Sequence, residues 1–292
     1  MKRLIALTLL ALIISCNSNS PDATLKEKIL SNEYFEYTKN KALEIVKTGF
    51  NAGDSYGEVW IRDYNTFIEL SAEVFNPDVL KENLLVFFRM QGDDGNIIDG
   101  YIPKAKAHGV GYEYIYSDLE PRYAGHKNTV ETDQESSLIL AIARYIKATG
   151  DVQILEEMKN GKTVLERCEW ALRFLKNNMY SEKYGLLFGA TTVDWTDVQP
   201  ESPWGVFITD DTHWCVDVYD NAIYVLAINE FLEWVKEDNE KYNFWKAEKE
   251  SITANVRKHL WDKQRQKFIP HRYLEDSPFT GFDEDEIFYL GG

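Results

Sequence analysis

The fold is decided by the stretch ESSLILAIARYIKAT, residues 135–149, which is followed by Gly150. Residues 138–143 are all apolar, so apolar side chains cover most of the surface of the helix that this stretch predicts. A helix that is apolar on all sides is buried among other elements. Glycine commonly ends a helix because it adopts the left-handed conformation easily. We therefore expect a helix that ends at Gly150 and packs against several neighbours.

The segments on both sides of this stretch also have helical spacing. Apolar periodicity predicts about seven helices, over residues 25–50, 64–74, 77–90, 135–149, 151–178, 220–237 and 242–261, and the helix over 151–178 is expected to be broken at Asn160-Gly161. Strands are expected only in short hairpins near residues 96–102 and 184–190. Three long loops, 51–63, 92–133 and 179–219, hold most of the Gly, Trp, His and paired carboxylates. Because loops of this length are often functional, we expect a helical scaffold with a site among its long loops.

The overall charge and the missing motifs exclude several classes of protein. The chain has 48 acidic and 32 basic residues, a formal charge of −16, which repels phosphate backbones and makes nucleic acid an unsuitable partner. It has no Gly-x-Ser-x-Gly elbow, phosphate-binding glycine loop or dinucleotide fingerprint, which argues against Ser-triad, kinase and hydride-transfer chemistry. It also has no His-x-x-x-His or Cys-x-x-Cys pattern, so no cofactor or catalytic metal is predicted, although a structural calcium stays open.

The N-terminus has the pattern of an export signal. Lys2 and Arg3 precede the uncharged run of residues 4–14, which is too short to span a bilayer as a helix. The run ends before Cys16 in a pattern that resembles a bacterial lipobox, and the resemblance implies that Cys16 carries lipid. The protein would then be anchored to a bacterial membrane, facing the periplasm or the cell exterior. The alternative is an ordinary signal peptide that ends near a cysteine.

These features divide the chain into three predicted parts. Residues 1–15 form the signal peptide, residues 16–24 form a polar tether, and residues 25–292 form the catalytic domain. The other two cysteines, Cys168 and Cys215, could pair in an oxidising compartment or stay as buried thiols.

The first candidate site stretch is Trp60-Ile61-Arg62-Asp63, at the junction of a loop and a helix. Asp63 lies near a helix N-terminus, which favours its negative charge. One interpretation is a helix cap with a flanking ion pair. The other is a polar clamp for the hydroxyls of a sugar, with Trp60 as an apolar wall.

The second stretch, Glu131-Thr132-Asp133-Gln134-Glu135, opens the apolar helix. Acids in a first turn suit the helix dipole, so capping is one interpretation. Because the helix behind them is predicted to be buried, these side chains are also expected to face an interior cavity. Glu131 is therefore a candidate catalytic carboxylate and Asp133 a candidate sugar ligand.

The third stretch, Asp194-Trp195-Thr196-Asp197, is followed by Trp204. It is either a solvated turn or part of a catalytic site. Glycoside hydrolysis needs one protonated carboxyl, whose pKa an apolar environment raises, and a second carboxylate that activates water or attacks directly. Asp194 and Asp197 are the candidates for this work.

The fourth stretch, residues 210–214, contains two Asp, a His and Trp214, and Asp217 and Asp220 follow it. These acids and the histidine could bind a metal, although the five histidines of the chain are scattered. Trp214 is a candidate for stacking on a sugar ring.

Several of these stretches together resemble the six-hairpin glycosidases, the (α/α)6-barrel superfamily that includes glucoamylases, trehalases and cellobiose-type phosphorylases. The resemblance is carried, in chain order, by Trp60–Asp63 opening a helix, by residues 94–97 running into 100–103, by 138–145 leading into 149–151, by 220–224, and by 260–262 before 267–269. It covers about residues 40–290 and implies an all-α (α/α)6 toroid.

The resemblance also implies roles for individual residues. The stretch Asp194-Trp195-Thr196-Asp197 is similar to the Asp-Trp-Asn-Asp of the phosphorylases, which contains a general acid; here Thr196 replaces Asn, so the proton is not assigned to one aspartate. Arg62 and Asp63 would hold the sugar in the innermost subsite. Inversion is the usual outcome in the superfamily, with a base often supplied from the later part of the barrel, and it requires carboxyl groups roughly 6.5–9.5 Å apart.

The predicted function is therefore a lipid-anchored glycoside hydrolase that acts on oligo- or polysaccharides. Two alternative functions are left open. One is a glycoside phosphorylase, which uses phosphate in place of water. The other is a non-catalytic glycan-binding lipoprotein, whose sugar-stacking residues are Trp60, Trp195, Trp204 and Trp214. Twelve helices are expected of a full toroid and about seven are predicted, so we also expect a barrel that is incomplete at its C-terminus. The oligomeric state is left open.

Overall fold

The computed structural model describes residues 21–51, 53, 57–108, 114–127, 132–190, 208–210 and 212–277. The chain divides into two compact units between Thr48 and Gly49. Within the described residues there are eight α-helices and several short antiparallel strand pairs, so the prediction of a helix-rich protein is confirmed.

The first unit contains helices α1 (Pro21–Leu30) and α2 (Glu33–Val46). One helix was predicted over residues 25–50, and the structure interrupts it at Asn32. The backbone of Asn32 is extended, and its side chain accepts a hydrogen bond from the Tyr34 N–H at 3.0 Å. Asparagine is a favoured N-cap because its side-chain oxygen satisfies an otherwise unpaired N–H of the first turn, and this explains the new helix start.

The second unit contains six helices in two layers. In chain order they are α3 (Ile61–Ser71), α4 (Pro77–Arg89), α5 (Gln134–Thr149), α6 (Val164–Asn178), α7 (Val218–Trp234) and α8 (Asn239–His259). Helices α3, α5 and α7 lie side by side in one layer, and α4, α6 and α8 pack against them. Helices therefore alternate between the layers along the chain, which is how helical hairpins stack. A complete six-hairpin toroid stays a prediction.

Helix α5 lies at the centre of this unit and packs against α3, α4, α6 and α7. Its apolar residues Leu138, Ile139, Ala141 and Ile142 are at most 1% exposed. The burial predicted for this helix is confirmed, and so is its end at Gly150, which has a left-handed backbone with φ of 75°. Because α5 is held on several sides, its N-terminal turn is rigidly placed.

The helix predicted over residues 151–178 forms only in its second half, as α6. Residues Val152–Glu156 form a 3-10 helix, and strands β4 (Met158–Lys159) and β5 (Lys162–Thr163) then form a hairpin. Both turn residues, Asn160 and Gly161, have positive φ angles of 48° and 76°. This backbone matches the right-handed twist of a two-residue hairpin and is incompatible with a helix, so the Asn-Gly pair overrides the helical pattern.

A three-stranded antiparallel sheet joins the segment before α3 to the segments between α4 and α5. It consists of β1 (Val59–Trp60), β2 (Gly100–Pro103) and β3 (Tyr123–His126), with Gly100 paired to both Trp60 and His126. A Cβ at Gly100 would lie 3.0 Å from the Val59 carbonyl oxygen and 3.3 Å from the Trp60 ring. Glycine therefore lets β1 and β2 approach closely, and the sheet delivers Trp60 to the start of α3.

Three further strand pairs connect the helices. They are β6 (Tyr180–Ser181) with β7 (Leu186–Leu187), β8 (Cys215–Asp217) with β11 (His271–Tyr273), and β9 (Trp261–Asp262) with β10 (Lys267–Phe268). Strand β8 leads directly into α7, so its pairing with β11 sets where α7 begins.

Cys168 on α6 and Cys215 on β8 are both buried and do not form a disulfide with each other. Burial raises the pKa of the Cys168 thiol, so it is unreactive at neutral pH. Of the helices in the described residues, none combines the length and apolar composition required to cross a bilayer.

Candidate active site

The N-terminal turns of the three inner helices meet at one point, the carboxylate of Asp133. Asp133 is the N-cap residue of α5. The Arg62 guanidinium of α3 lies 3.5 Å from Asp133 Oδ1, and the Tyr219 hydroxyl of α7 donates to Asp133 Oδ2 at 2.7 Å. Helix N-termini carry partial positive charge, so this end of the layer is suited to acidic side chains.

Asp133 is fully buried and Arg62 is 8% exposed. A buried charge is tolerated only when it is paired and hydrogen-bonded, and Asp133 is paired with Arg62 at Oδ1 and hydrogen-bonded to Tyr219 at Oδ2. Burial, followed by the negative charge of Asp133, raises the pKa of Tyr219. Tyr219 therefore stays protonated and continues to donate throughout the physiological pH range.

A small pocket opens beside this group. It is lined by Trp60, Ile61, Arg62, Asp99, Asp133 and Gln134. The Trp60 ring meets the His126 ring edge-on, with centroids 4.4 Å apart. Burial lowers the pKa of His126 to about 4, so this ring is neutral at neutral pH. An aromatic wall beside an arginine and two carboxyl groups offers both an apolar face and directional donors and acceptors, which a polyhydroxylated ring requires.

Asp63 lies one residue beyond Arg62, in the first turn of α3. Burial raises its pKa, while the neighbouring Arg62 opposes the shift. The Asp63 carboxyl is therefore partly shielded from water and lies next to Arg62, whose guanidinium pairs with Asp133.

Glu135, in the first turn of α5, is fully buried and connects three segments. Its Oε1 accepts from the Ile97 N–H at 2.7 Å and from Lys127 Nζ at 2.9 Å. These bonds fix the loop that follows residue 94 and the end of β3 against α5, and they position the pocket wall.

A second acidic pair, Asp217 and Asp220, begins α7. Asp217 is 2% exposed and Asp220 is fully buried. Asp217 caps the helix, since its Oδ1 accepts from the Asp220 N–H at 2.6 Å. Burial raises the pKa of Asp217 to about 7. Burial, with the charges of Asp217 and Asp133, raises the pKa of Asp220 well above its usual value. The pair therefore retains at least one proton at neutral pH.

The structure brings three of the predicted site residues, Trp60, Arg62 and Asp133, to one pocket. Asp63 adjoins them in α3. Trp214 instead packs edge-on against Phe188, with ring centroids 5.5 Å apart. The remaining predicted residues lie outside the described residues; these are Cys16, Glu131, Asp194, Trp195, Asp197 and Trp204.

Two features of the site were missed in the sequence. Tyr219 was not recognised as a hydrogen-bond donor to Asp133, and Asp217 and Asp220 were not recognised as a helix cap and its partner. An aspartate followed three residues later by a second aspartate at the start of a helix could have indicated the cap. In the part of the chain that the structure describes, no group of three or more His, Cys, Asp or Glu side chains is arranged to hold a metal ion.

The sequence was compared with known proteins. Residues 12–286 match the family model described as "Glycosyl hydrolase 94 superfamily, catalytic domain". No curated protein matches the chain.

Proposed function

Because the chain belongs to the glycosyl hydrolase 94 superfamily, we propose that it cleaves glycosidic bonds in oligo- or polysaccharides, with water as the acceptor. The superfamily includes phosphorylases as well as hydrolases, so membership supports action on glycosides without choosing the acceptor. Hydrolysis is the reaction that we favour, and phosphorolysis is the second candidate.

The observation that carries the proposal is the convergence of Arg62, Asp133 and Tyr219 beside Trp60. The Arg62–Asp133 pair is buried and the Tyr219 hydroxyl fixes the Asp133 carboxylate, so the polar groups of the pair are preorganised. Such groups can hold the hydroxyls of one sugar ring in a single orientation, while Trp60 covers an apolar face of the ring.

In the proposed reaction, a carboxyl group from the stretch 194–197 donates its proton to the glycosidic oxygen as the bond from that oxygen to the anomeric carbon breaks. A second carboxylate takes a proton from water, and the water oxygen bonds to the anomeric carbon. Asp194 and Asp197 are the candidates for the acid, and Glu131 is a candidate carboxylate. Attack from the opposite face of the ring gives inversion.

Phosphorolysis is favoured by one specific observation, the similarity of Asp194-Trp195-Thr196-Asp197 to the acid-containing motif of phosphorylases. Against it stand the acidic balance of the chain, with a formal charge of −16, and the predicted export. A phosphate ion would approach against that charge.

Substitution of the candidate acids tests the proposal. The full-length protein, Asp194→Asn and Asp197→Asn are compared on a panel of glycans, and Asp238→Asn, which changes the N-cap of the outer helix α8, is the matched control. Loss of a general acid lowers kcat by about 10²–10⁴-fold, so at least one of the first two variants falls that far and the control does not. Undiminished turnover in both variants would exclude this acid assignment. Binding of glycans with no product from the unmodified protein would instead favour the non-catalytic alternative.

We further propose that the protein is exported and lipid-anchored through Cys16. The uncharged run of residues 4–14 and the polar segment after the cysteine support this proposal. A single Cys16→Ser substitution should move the protein from the membrane fraction to the supernatant after cell lysis. Equal membrane association of both forms would refute the anchor.

A further inference from the structure

The first turn of α7 makes hydrogen bonds to two distant segments of the chain. Both carboxylate oxygens of Asp220 lie 3.3 Å from the Thr132 N–H, which donates to them. Asn221 Oδ1 accepts from the Leu187 N–H at 2.8 Å, and Asn221 Nδ2 donates to the Leu187 carbonyl at 3.0 Å. Asp220, Asn221 and Leu187 are fully buried, and Thr132 is nearly so.

These bonds are not ordinary helix capping. Capping of α7 is already supplied by Asp217, which accepts from the Asp220 N–H. The side chains of Asp220 and Asn221 reach residues that are 88 and 34 positions away in sequence. Because buried polar groups must be paired, bonds of this range fix where the two segments lie relative to α7.

Both segments lead to Asp133. Thr132 directly precedes Asp133, the N-cap of α5, and Leu187 directly precedes Phe188. The two segments are also joined directly, since the Thr132 hydroxyl donates to the Phe188 carbonyl at 3.0 Å. A shift of either segment would therefore move Thr132, and with it Asp133 at the start of α5.

We propose that Asp220 and Asn221 are positioning residues. Through the Thr132 and Leu187 segments they hold Asp133 in place against Arg62 and Tyr219, where the proposed sugar would bind. This inference rests on the proposed function. Neither residue is expected to touch the substrate, and both act through backbone groups.

Charge makes Asp220 sensitive to pH. Its carboxyl faces Asp217 from β8 and Asp133 from the start of α5, and Asp133 is in turn held by Arg62 of α3 and Tyr219 of α7. While the Asp217–Asp220 pair holds one proton, only one of its two carboxyl groups is charged, so the electrostatic repulsion between them is small. As pH rises and this proton leaves, two adjacent buried carboxylates repel each other, so the hold on Thr132 weakens on the alkaline side.

Three variants test the inference in the full-length protein. Asp220→Ala removes the acceptor for the Thr132 N–H. Asp220→Asn keeps an acceptor oxygen and imitates the protonated carboxyl. Glu169→Ala is the matched control, because Glu169 is a carboxylate only 7% exposed that pairs with Arg173 and Lys241 on the outer layer.

We expect Asp220→Ala to lower kcat and Glu169→Ala to lower thermal stability alone. Misplacement of a catalytic segment by about 1 Å can cost roughly 10²-fold, so Asp220→Ala lowers kcat per folded molecule by about 10–100-fold with a smaller change in KM. Asp220→Asn recovers most of that loss, and its activity falls less steeply at alkaline pH than that of the unmodified protein. Glu169→Ala lowers the thermal midpoint without changing kcat.

Equal kcat in Asp220→Ala and Glu169→Ala would overturn the inference while leaving the proposed function intact. An Asp220→Asn variant as impaired as Asp220→Ala at every pH would overturn it as well. A lack of turnover in the unmodified protein, with water or with phosphate, would overturn the proposed function and the inference together.

Discussion

Replacement of Tyr219 by phenylalanine removes one hydrogen bond from the centre of the site and almost nothing else. The Tyr219 hydroxyl donates to Asp133 Oδ2 at 2.7 Å, and Asp133 is fully buried. A hydrogen bond to a charged group contributes about 1.5–3 kcal/mol, and loss of the donor leaves a buried carboxylate oxygen unsatisfied. We therefore expect Tyr219→Phe to lower the free energy of unfolding by about 1.5–3 kcal/mol.

The same helix offers a matched control. Tyr224 is also a tyrosine of α7, fully buried, but its hydroxyl donates to the neutral Leu172 carbonyl at 3.5 Å. A long bond to a neutral acceptor contributes little, so Tyr224→Phe should cost less than about 1 kcal/mol. Both variants lose one tyrosine hydroxyl from α7, so the difference between their free energies of unfolding reports the charge of Asp133.

The assay is urea unfolding followed by tryptophan fluorescence. The free energy is taken from the midpoint, provided that the slope m is unchanged between variants. Since 1.36 kcal/mol corresponds to tenfold in an equilibrium constant, the expected loss shifts the folding equilibrium by about 10–150-fold. Equal destabilisation by the two substitutions would refute the conclusion that Tyr219 holds a buried charged carboxylate.

Two further predictions concern buried acids. The pKa of Asp217 is raised from 3.8 to about 7 in the folded protein, so the folded state binds this proton more tightly than the unfolded state. The stabilisation that the bound proton provides is complete below pH 3.8 and is lost as pH rises through about 7. The urea midpoint of the unmodified protein should therefore fall between about pH 4 and 7 more than that of Asp217→Asn; equal slopes would contradict the burial of this carboxyl. Glu135→Ala removes the carboxylate that pairs with the Lys127 ammonium, which keeps its hydrogen bond to the Gln134 side chain, and should cost about 3–5 kcal/mol. Glu135→Gln keeps an acceptor for the Ile97 N–H and should cost less in the same unfolding assay, and equal costs would show that this bond contributes nothing.

The helices of the inner layer could be predicted because the spacing of apolar residues within each short stretch is enough to indicate a helix. The apolar run at residues 138–143 requires burial on several sides wherever the helix lies, and the structure places α5 among four other helices. The structure at Asn160-Gly161 was harder to predict, because a break in the helical pattern at these residues is compatible with two short helices as well as with a hairpin. The observed hairpin depends on both residues adopting positive φ angles.

The chemical character of the site could be predicted, but its connections could not. Arg62 and Asp133 were selected because their residue types suit sugar binding, and they are 71 positions apart in sequence (133 − 62 = 71). Their direct pairing, and the hydrogen bond from Tyr219 to Asp133, depend on how α3, α5 and α7 pack, which no local pattern encodes. The same is true of Asp220, whose partner Thr132 is 88 positions away; without that partner, its sequence neighbours suggested a metal site.

The most direct test of glycosidic bond cleavage by water is mass spectrometry of the products formed in ¹⁸O-labelled water. The full-length protein is incubated with the glycan panel in buffer with and without inorganic phosphate, with Asp133→Asn as a binding-impaired comparison. The account predicts products that carry one ¹⁸O at the new reducing end in both buffers, and much less product from the variant. Unlabelled sugar phosphate formed only when phosphate is present, or no product at all, would contradict it.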